Sequence, residues 1–157
     1  MHHAASPADL LTPEQLLSMS GLDFMRGILD GTLPAPPIAK TLDYALAEVE
    51  EGRVVFAGAP GFESCNPLGT VHGGWYGTIL DSAMACSVQT RLPKDSAYTT
   101  LEYKVNIVRS IPIGHPVRCE GIADHVGRST GVATGRIVDE AGRLYATGST
   151  TCIVLTP

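Results

Sequence analysis

Residues 66–83 read Asn66-Pro67-Leu68-Gly69-Thr70-Val71-His72-Gly73-Gly74-Trp75-Tyr76-Gly77-Thr78-Ile79-Leu80-Asp81-Ser82-Ala83. A polar, glycine-punctuated loop runs straight into the most apolar helix candidate of the chain. The pattern predicts a helix from about Gly74 to Thr90. Gly74, Gly77, Asp81 and Ala85 recur at i, i+3, i+7 and i+11 on one face of it, flanked by Thr78 and Val88. Small residues on that face leave room beside the Asp81 carboxylate. Trp75, Ile79, Leu80, Ala83, Met84 and Cys86 make the other positions mostly apolar, as expected of a helix buried nearly all round. An acid in such a helix must be paired, hydrogen-bonded or facing a cavity, because burying an isolated charge is costly. A structural Asp bonded to a backbone group or an Arg fits the spacing as well as a reactive one does.

Gly73 and Gly74 mark the predicted N-terminus of this helix. Free backbone N–H groups and the positive end of the helix dipole meet there. Such donors stabilise an oxygen that gains negative charge, and losing one typically costs about 3 kcal/mol of barrier. Two glycines also simply make a tight turn, which is their commoner meaning. His72 precedes the turn as a general base, a hydrogen-bonding strut or a ligand, the strut being the usual role of a lone His near a helix start. Ser64 and Ser82 lack a G-x-S-x-G context. Cys65 and Cys86 remain open as nucleophiles, with an inert core thiol the better reading of Cys86.

Outward from the helix, the chain reads as strands that wrap it. Before it, Tyr44–Glu51 and Arg53–Ala57 form a predicted hairpin about Glu51-Gly52. After it, Tyr98–Val108 alternates, with Leu101, Tyr103, Val105 and Ile107 on one face and Thr100, Glu102, Lys104 and Asn106 on the other. Val117–Val126 and Ser129–Val138 pair around Gly127-Arg128, and Asp139–Gly142 turns into Leu144–Leu155. At the start, Thr12-Pro13-Glu14 opens an N-terminal helix over residues 13–30. Its apolar stripe is Leu16, Leu17, Phe24, Ile28 and Leu29, with a break expected at Gly21 and an end at Gly31. Leu33-Pro34-Ala35-Pro36-Pro37 reads as an extended linker. The expected class is α+β, an antiparallel sheet curled around one central helix.

The chain has 157 residues, enough for one domain with a real core. Apolar residues are 44% and charged residues 17%, which excludes a disordered chain. The formal net charge is −5 and no basic run stands out, so nucleic acid is not an expected partner. The cysteines at 65, 86, 119 and 152 include no C-x-x-C pair, which argues against a zinc site and a disulfide framework. The N-terminus lacks the basic and apolar regions of a secretory signal, and the central helix is too short and polar to span a bilayer. No phosphate-loop motif occurs. Gly127-Arg128-Ser129-Thr130 offers a hairpin tip where a phosphate could bind, although a solvent-exposed turn is its commoner meaning. The expectation is a cytoplasmic protein with no metal, no cofactor and no membrane partner.

Asn66, His72-Gly73-Gly74 and Asp81, followed by Thr100, Glu102 and Asn106 on the next strand, resemble the hotdog-fold acyl-CoA thioesterases, in particular the PaaI-type branch. The pattern is Asn, five residues, His-Gly-Gly, then an acid eight residues after the first Gly. The resemblance covers roughly residues 40–155 and is carried by the combination, since His-Gly-Gly alone is weak. It implies a hotdog domain over 41–157 preceded by a helical extension and proline-rich linker over 1–40. It implies that Asp81 is the nucleophile or the general base for water, and that the Gly73 N–H polarises the thioester carbonyl. Asn66 would position the thioester or the water, with His72 supporting that loop. Thr100 would come from the neighbouring subunit to orient the nucleophile. Gly74, Thr78, Gly127, Arg128 and Ser129 would contact the acyl-CoA. The family's sites lie at a dimer interface, and tetramers are common, so the expected assembly is a homodimer with shared sites or a homotetramer.

Two features depart from that family. The extension over residues 1–40 is additional, available to cap the acyl tunnel or another subunit's surface. Ser110 follows Arg109 where the family usually has Pro, which affects a local bend. Two other functions compete: a hotdog hydratase or dehydratase, whose proline-rich loop around the His is absent, and a non-catalytic acyl-CoA-binding module, which would lack the acid at position 81.

Overall fold

The computed structural model describes residues 2–156. Three short helices come first: α1 (Pro13–Leu17), α2 (Gly21–Asp30) and α3 (Pro37–Thr41). Strands β1 (Tyr44–Glu50) and β2 (Arg53–Gly58) lead to the long helix α4 (Gly73–Gln89). Four strands follow: β3 (Ala97–Ile107), β4 (Val117–Val126), β5 (Thr130–Val138) and β6 (Leu144–Leu155).

The N-terminal helices follow their local signals, with two differences. The Thr12 hydroxyl accepts from the Gln15 N–H at 3.3 Å, while the Gln15 side chain accepts from the Thr12 N–H at 2.9 Å, a reciprocal cap. Gly21 begins α2 after the expected break, and Gly31 ends it in the left-handed conformation at φ 83°. The buried face of these helices differs from the predicted stripe: Met25 and Ile28 of α2 are inside, while Leu16 of α1 and Leu29 of α2 stay at the surface. The predicted linker is also shorter. Pro37 starts α3 behind Pro36, because proline at the first helical position gives up only an N–H that has no partner there.

All six strands form one antiparallel sheet in the order β1-β2-β4-β5-β6-β3. It curls around α4, the hotdog arrangement. Ten of the seventeen residues of α4 are buried, including Trp75, Ile79, Leu80 and Met84. The helix runs so close to the sheet that strand residues beneath it cannot carry side chains. A Cβ on Gly121 of β4 would lie 2.1 Å from the Ala83 carbonyl oxygen, and one on Gly135 of β5 2.8 Å from Met84 Cγ. Glycine there marks close backbone approach.

The sheet leaves one stripe of α4 uncovered, along Gly74, Thr78, Asp81, Ser82 and Cys86. β3 flanks this stripe as an edge strand. Its register against β6 shifts between Thr100 and Glu102, a bulge that leaves Leu101 out of step. The simple alternation read from the sequence is therefore corrected. Beyond the bulge Tyr103 and Ile107 approach the helix at Gly77 and Gly73, and before it Thr100 does the same at Asp81. The bulge thus puts Thr100 on the same face as Tyr103 and Ile107, not on the opposite one.

Gly121→Ala forces the new methyl against α4 backbone, which has no flexible side chain to yield. We expect a loss of about 3 kcal/mol or more, at the upper end of overpacking costs. A fall in the urea midpoint with an unchanged slope checks it.

Candidate active site

Asp81 sits in the middle of α4, half-buried on the uncovered stripe. The Thr100 hydroxyl of β3 donates to its Oδ1 at 3.0 Å. Both residues belong to the same chain, which corrects the expectation that Thr100 arrives from a neighbouring subunit. Burial pushes the Asp81 carboxyl above its ordinary value, and the Thr100 hydrogen bond partly opposes that rise. The carboxylate is held by one oxygen and has no Arg or Lys ion-paired to it among the described residues. The structural reading of this acid, a carboxylate neutralised by Arg or bonded to backbone, is thus not what the fold builds.

The N-terminus of α4 is arranged by side chains of its own loop. His72 is the N-cap: its Nδ1 accepts from the Gly74 N–H at 2.8 Å, so the ring is a strut with its proton on Nε2. Thr78 donates back to the Gly74 carbonyl at 2.9 Å. Gly74 is therefore committed at both ends. Gly73, at the first helical position, has no carbonyl within the helix to donate to. Of the two glycines, Gly73 keeps its N–H available.

Asn66 shapes the preceding loop. Its Oδ1 accepts from the Leu68 N–H at 2.9 Å and the Thr70 N–H at 3.3 Å, while Nδ2 donates to Thr70 Oγ1 at 2.9 Å. This is an Asx-type turn that presents the loop beside the helix start. Ser64 lines the same hollow, of about 310 Å³, as His72, Gly74 and Thr78. Its hydroxyl is buried and has no hydrogen-bond partner among the described residues. No sequence signal singled out Ser64 beyond its failure to form a nucleophile elbow.

Gly127, Arg128 and Ser129 form the tip of the β4–β5 hairpin. Gly127 donates to the Thr130 carbonyl at 2.8 Å, and Arg128 is exposed. Gly131, two residues beyond Ser129, packs on Val88, near the C-terminal end of α4 and away from Gly73. One chain thus joins Asp81 to Thr100, and Asn66 to the His72-Gly73-Gly74 turn. It does not bring those two groups together. Asp81 lies eight residues after Gly73, about 12 Å along the helix at 1.5 Å per residue.

Three neighbours of Asp81 were not anticipated. The Tyr44 and Ser82 hydroxyls lie 2.9 Å apart, and Tyr98 borders Cys86. Burial pushes the Cys86 thiol up to about 12, which removes it as a nucleophile. Among the described residues no group of three His, Cys, Asp or Glu side chains could hold a metal ion. Among the described residues no helix is long and apolar enough to cross a membrane.

The sequence pattern of the family described as "Thioesterase superfamily" matches residues 68–146, half of the chain. No curated protein sequence matches this one. Several solved structures share the fold. A phenylacetic acid degradation-related protein of Ralstonia eutropha JMP134 is 26% identical, with a TM-score of 0.75 over 83% of this chain and 98% of that one. A mutant of the phenylacetic acid degradation protein PaaI of Thermus thermophilus is also 26% identical, with a TM-score of 0.68 over 74% and 97%. A Streptococcus mutans UA159 protein bound to acetyl-CoA is 22% identical, with a TM-score of 0.66 over 73% and 90%.

The raised Asp81 carboxyl makes a stability prediction. An acid whose folded value lies above its unfolded one destabilises the fold once pH exceeds the unfolded value. Asp81→Asn keeps an oxygen for Thr100 and removes the charge. The variant should melt higher than wild type at pH 7, and the difference should shrink as pH falls through the carboxylate range. Thermal melts at several pH values check it.

Proposed function

The chain belongs to the thioesterase superfamily, and on that premise we propose that it hydrolyses an acyl-CoA thioester to the free acid and CoA. The observation that carries this reading is the half-buried, cation-free Asp81 held at one oxygen by Thr100. A carboxylate with a raised proton affinity is a better base, and its second oxygen is free to act. Asp81 either takes a proton from water or attacks the carbonyl carbon itself. In the first route the oxygen of that water bonds to the carbon, the carbon–sulfur bond breaks, and the proton held by Asp81 passes to the departing CoA thiolate. In the second the carbon–sulfur bond breaks to leave a mixed anhydride on Asp81 and a CoA thiolate. Water then cleaves the anhydride to the free acid and gives its proton to the thiolate. A thioester is already activated, so the step requires no metal. The acetyl-CoA held by the Streptococcus mutans protein on the same fold agrees with CoA as the carrier.

The Gly73 N–H supplies the oxyanion donor in this reading. The reacting carbon must lie about 3 Å from both the acid and the donor. The separation of about 12 Å along α4 rules out Asp81 and Gly73 of one chain. The site is therefore composite, with Asp81 and Thr100 from one protomer and the Asn66–Gly74 loop from another. The edge strand β3 offers the means. It is 11 residues long and, among the described residues, unpaired on its outer side, with Leu101 59%, Tyr103 46% and Ile107 48% exposed. Long apolar edges of this kind call for a partner. Thr100 packs at Asp81 and Ile107 at Gly73. An antiparallel two-fold pairing centred near Tyr103 and Lys104 sets Ile107 of the partner subunit opposite Thr100. Gly73 of the partner subunit then comes opposite Asp81. In this homodimer Asn66 positions the thioester, His72 holds the turn, and Arg128 at the hairpin tip is a cation for the CoA phosphates.

Backbone chemistry can be tested at Gly73. Proline suits the first helical position, and His72 before it is already extended at φ −65°, ψ 141°. Gly73→Pro should therefore fold and lack the donor, lowering kcat by about 10²–10³-fold. Gly73→Ala keeps the N–H and should retain most activity. Asp81→Asn should lose at least about 10²-fold. Thiol release from a panel of acyl-CoAs reads all three. Equal rates for Gly73→Pro and Gly73→Ala contradict the donor role, and a wild type inert to the whole panel contradicts the function.

A further inference from the structure

The N-terminal extension does not lie flat on the hotdog core. A cavity of about 370 Å³ separates the two. The extension contributes Phe24 and Met25 to its wall, β1 Leu46, β2 Phe56, α4 Cys86 and β3 Tyr98. Ser82 is a polar side chain in this lining, and its hydroxyl is already paired with that of Tyr44 at 2.9 Å. Neither Asp81 nor Thr100 lines the cavity, but both stand close along the chain to residues that do. Ser82 is the next residue of the helix, and Tyr98 stands two residues before Thr100 on the same strand.

We propose that the hydrocarbon part of the substrate's acyl group lodges in this cavity between the N-terminal extension and α4, so that the chain acts on medium-chain acyl thioesters. The proposal rests on the thioesterase reading and deepens it. Apart from the hydroxyls of Ser82 and Tyr98 and the Cys86 thiol beside Tyr98, the side chains lining the cavity are apolar and none is charged. A carboxylate on the acyl group would therefore be buried without a partner, which is penalised. The size sets the length. The volume falls in the range of about 300–1,000 Å³ of small-molecule pockets. At about 30 Å³ per heavy atom, the liquid share of one water, it holds about a dozen atoms. That suits an octanoyl or decanoyl group and is too short for palmitoyl. An acetyl group would leave most of the apolar wall without contacts. Phe24 from the extension and Cys86 from the helix both line the cavity, and on this proposal they set the length.

Thiol release from butanoyl-, octanoyl- and hexadecanoyl-CoA tests this. Wild type should show kcat/KM for octanoyl-CoA about tenfold or more above butanoyl-CoA, and above hexadecanoyl-CoA. Cys86→Leu fills the cavity and should lower the octanoyl-to-butanoyl ratio about tenfold. Phe24→Ala, at a partly buried position, enlarges it and should raise the hexadecanoyl-to-octanoyl ratio. A wild type that prefers butanoyl-CoA overturns the proposal while leaving the thioesterase reading intact, as do variants with native melting curves and unchanged ratios. If no acyl-CoA is turned over, the thioesterase reading falls, and titration calorimetry with non-hydrolysable thioethers decides the cavity. S-octyl-CoA should then bind at least about a hundredfold tighter than S-ethyl-CoA, a conservative figure against about fourfold per buried methylene. Equal binding of the two overturns the proposal.

Discussion

Everything in this molecule depends on how closely the sheet is drawn around α4. The helix is buried on most of its circumference, and its backbone passes so near β4 that Gly121 has no space for a methyl. Packing at this density fixes the rotation of the helix. Rotation in turn decides which side chains face the one stripe left bare. Asp81 is on that stripe, beside the edge strand that carries Thr100. A helix set a few residues out of phase would bury the acid against the sheet, where no partner waits for it. The carboxylate is tolerated because the stripe is half-open, and it is strained because the stripe is half-closed. Both properties suit a group whose affinity for a proton must be raised without being extinguished.

Much of this was legible in the sequence, and for identifiable reasons. The run from Trp75 to Val88 is apolar on nearly every face, so a central helix followed from composition. The hairpins around Gly52, Gly127 and Gly142 followed from turn chemistry. The start at Thr12 and the stop at Gly31 followed from capping. The strand after the helix was found, but its faces were not. The bulge at Leu101 breaks a perfect alternation, and nothing in Thr100-Leu101-Glu102 signals it, since the shift arises from pairing with β6. Whether Thr100 faces its own Asp81 is decided there. Gly121, Gly131, Gly135 and Gly148 were a missed signal, because glycines inside strands mark where another backbone comes close. The cavity under the extension was illegible because Phe24, Leu46, Phe56, Cys86 and Tyr98 are far apart in sequence and ordinary one by one.

The same rigid helix that positions Asp81 holds Gly73 away from it. Within one chain the acid and the free N–H occupy separate neighbourhoods, each well ordered by its own hydrogen bonds: Thr100 for the acid, His72, Thr78 and Asn66 for the turn. Neither neighbourhood is complete for thioester chemistry. The proposed dimer resolves this through the exposed edge of β3, and the burial of that apolar edge and the assembly of the site become one event. The extension adds a second division of labour. It shapes the space for the acyl group while contributing nothing to the Asp81–Thr100 pair. Selectivity on this account varies through residues 1–40 without disturbing the reacting groups.

The composite site is the centre of this account, and subunit complementation tests it most directly. Asp81→Asn and Gly73→Pro chains, each inactive alone, are unfolded together and refolded as a mixture. If Asp81 of one chain works with Gly73 of the other, half of the resulting dimers carry one intact site, and the mixture recovers about a quarter of wild-type activity. A mixture that stays as inactive as its components, while forming mixed dimers, would contradict it.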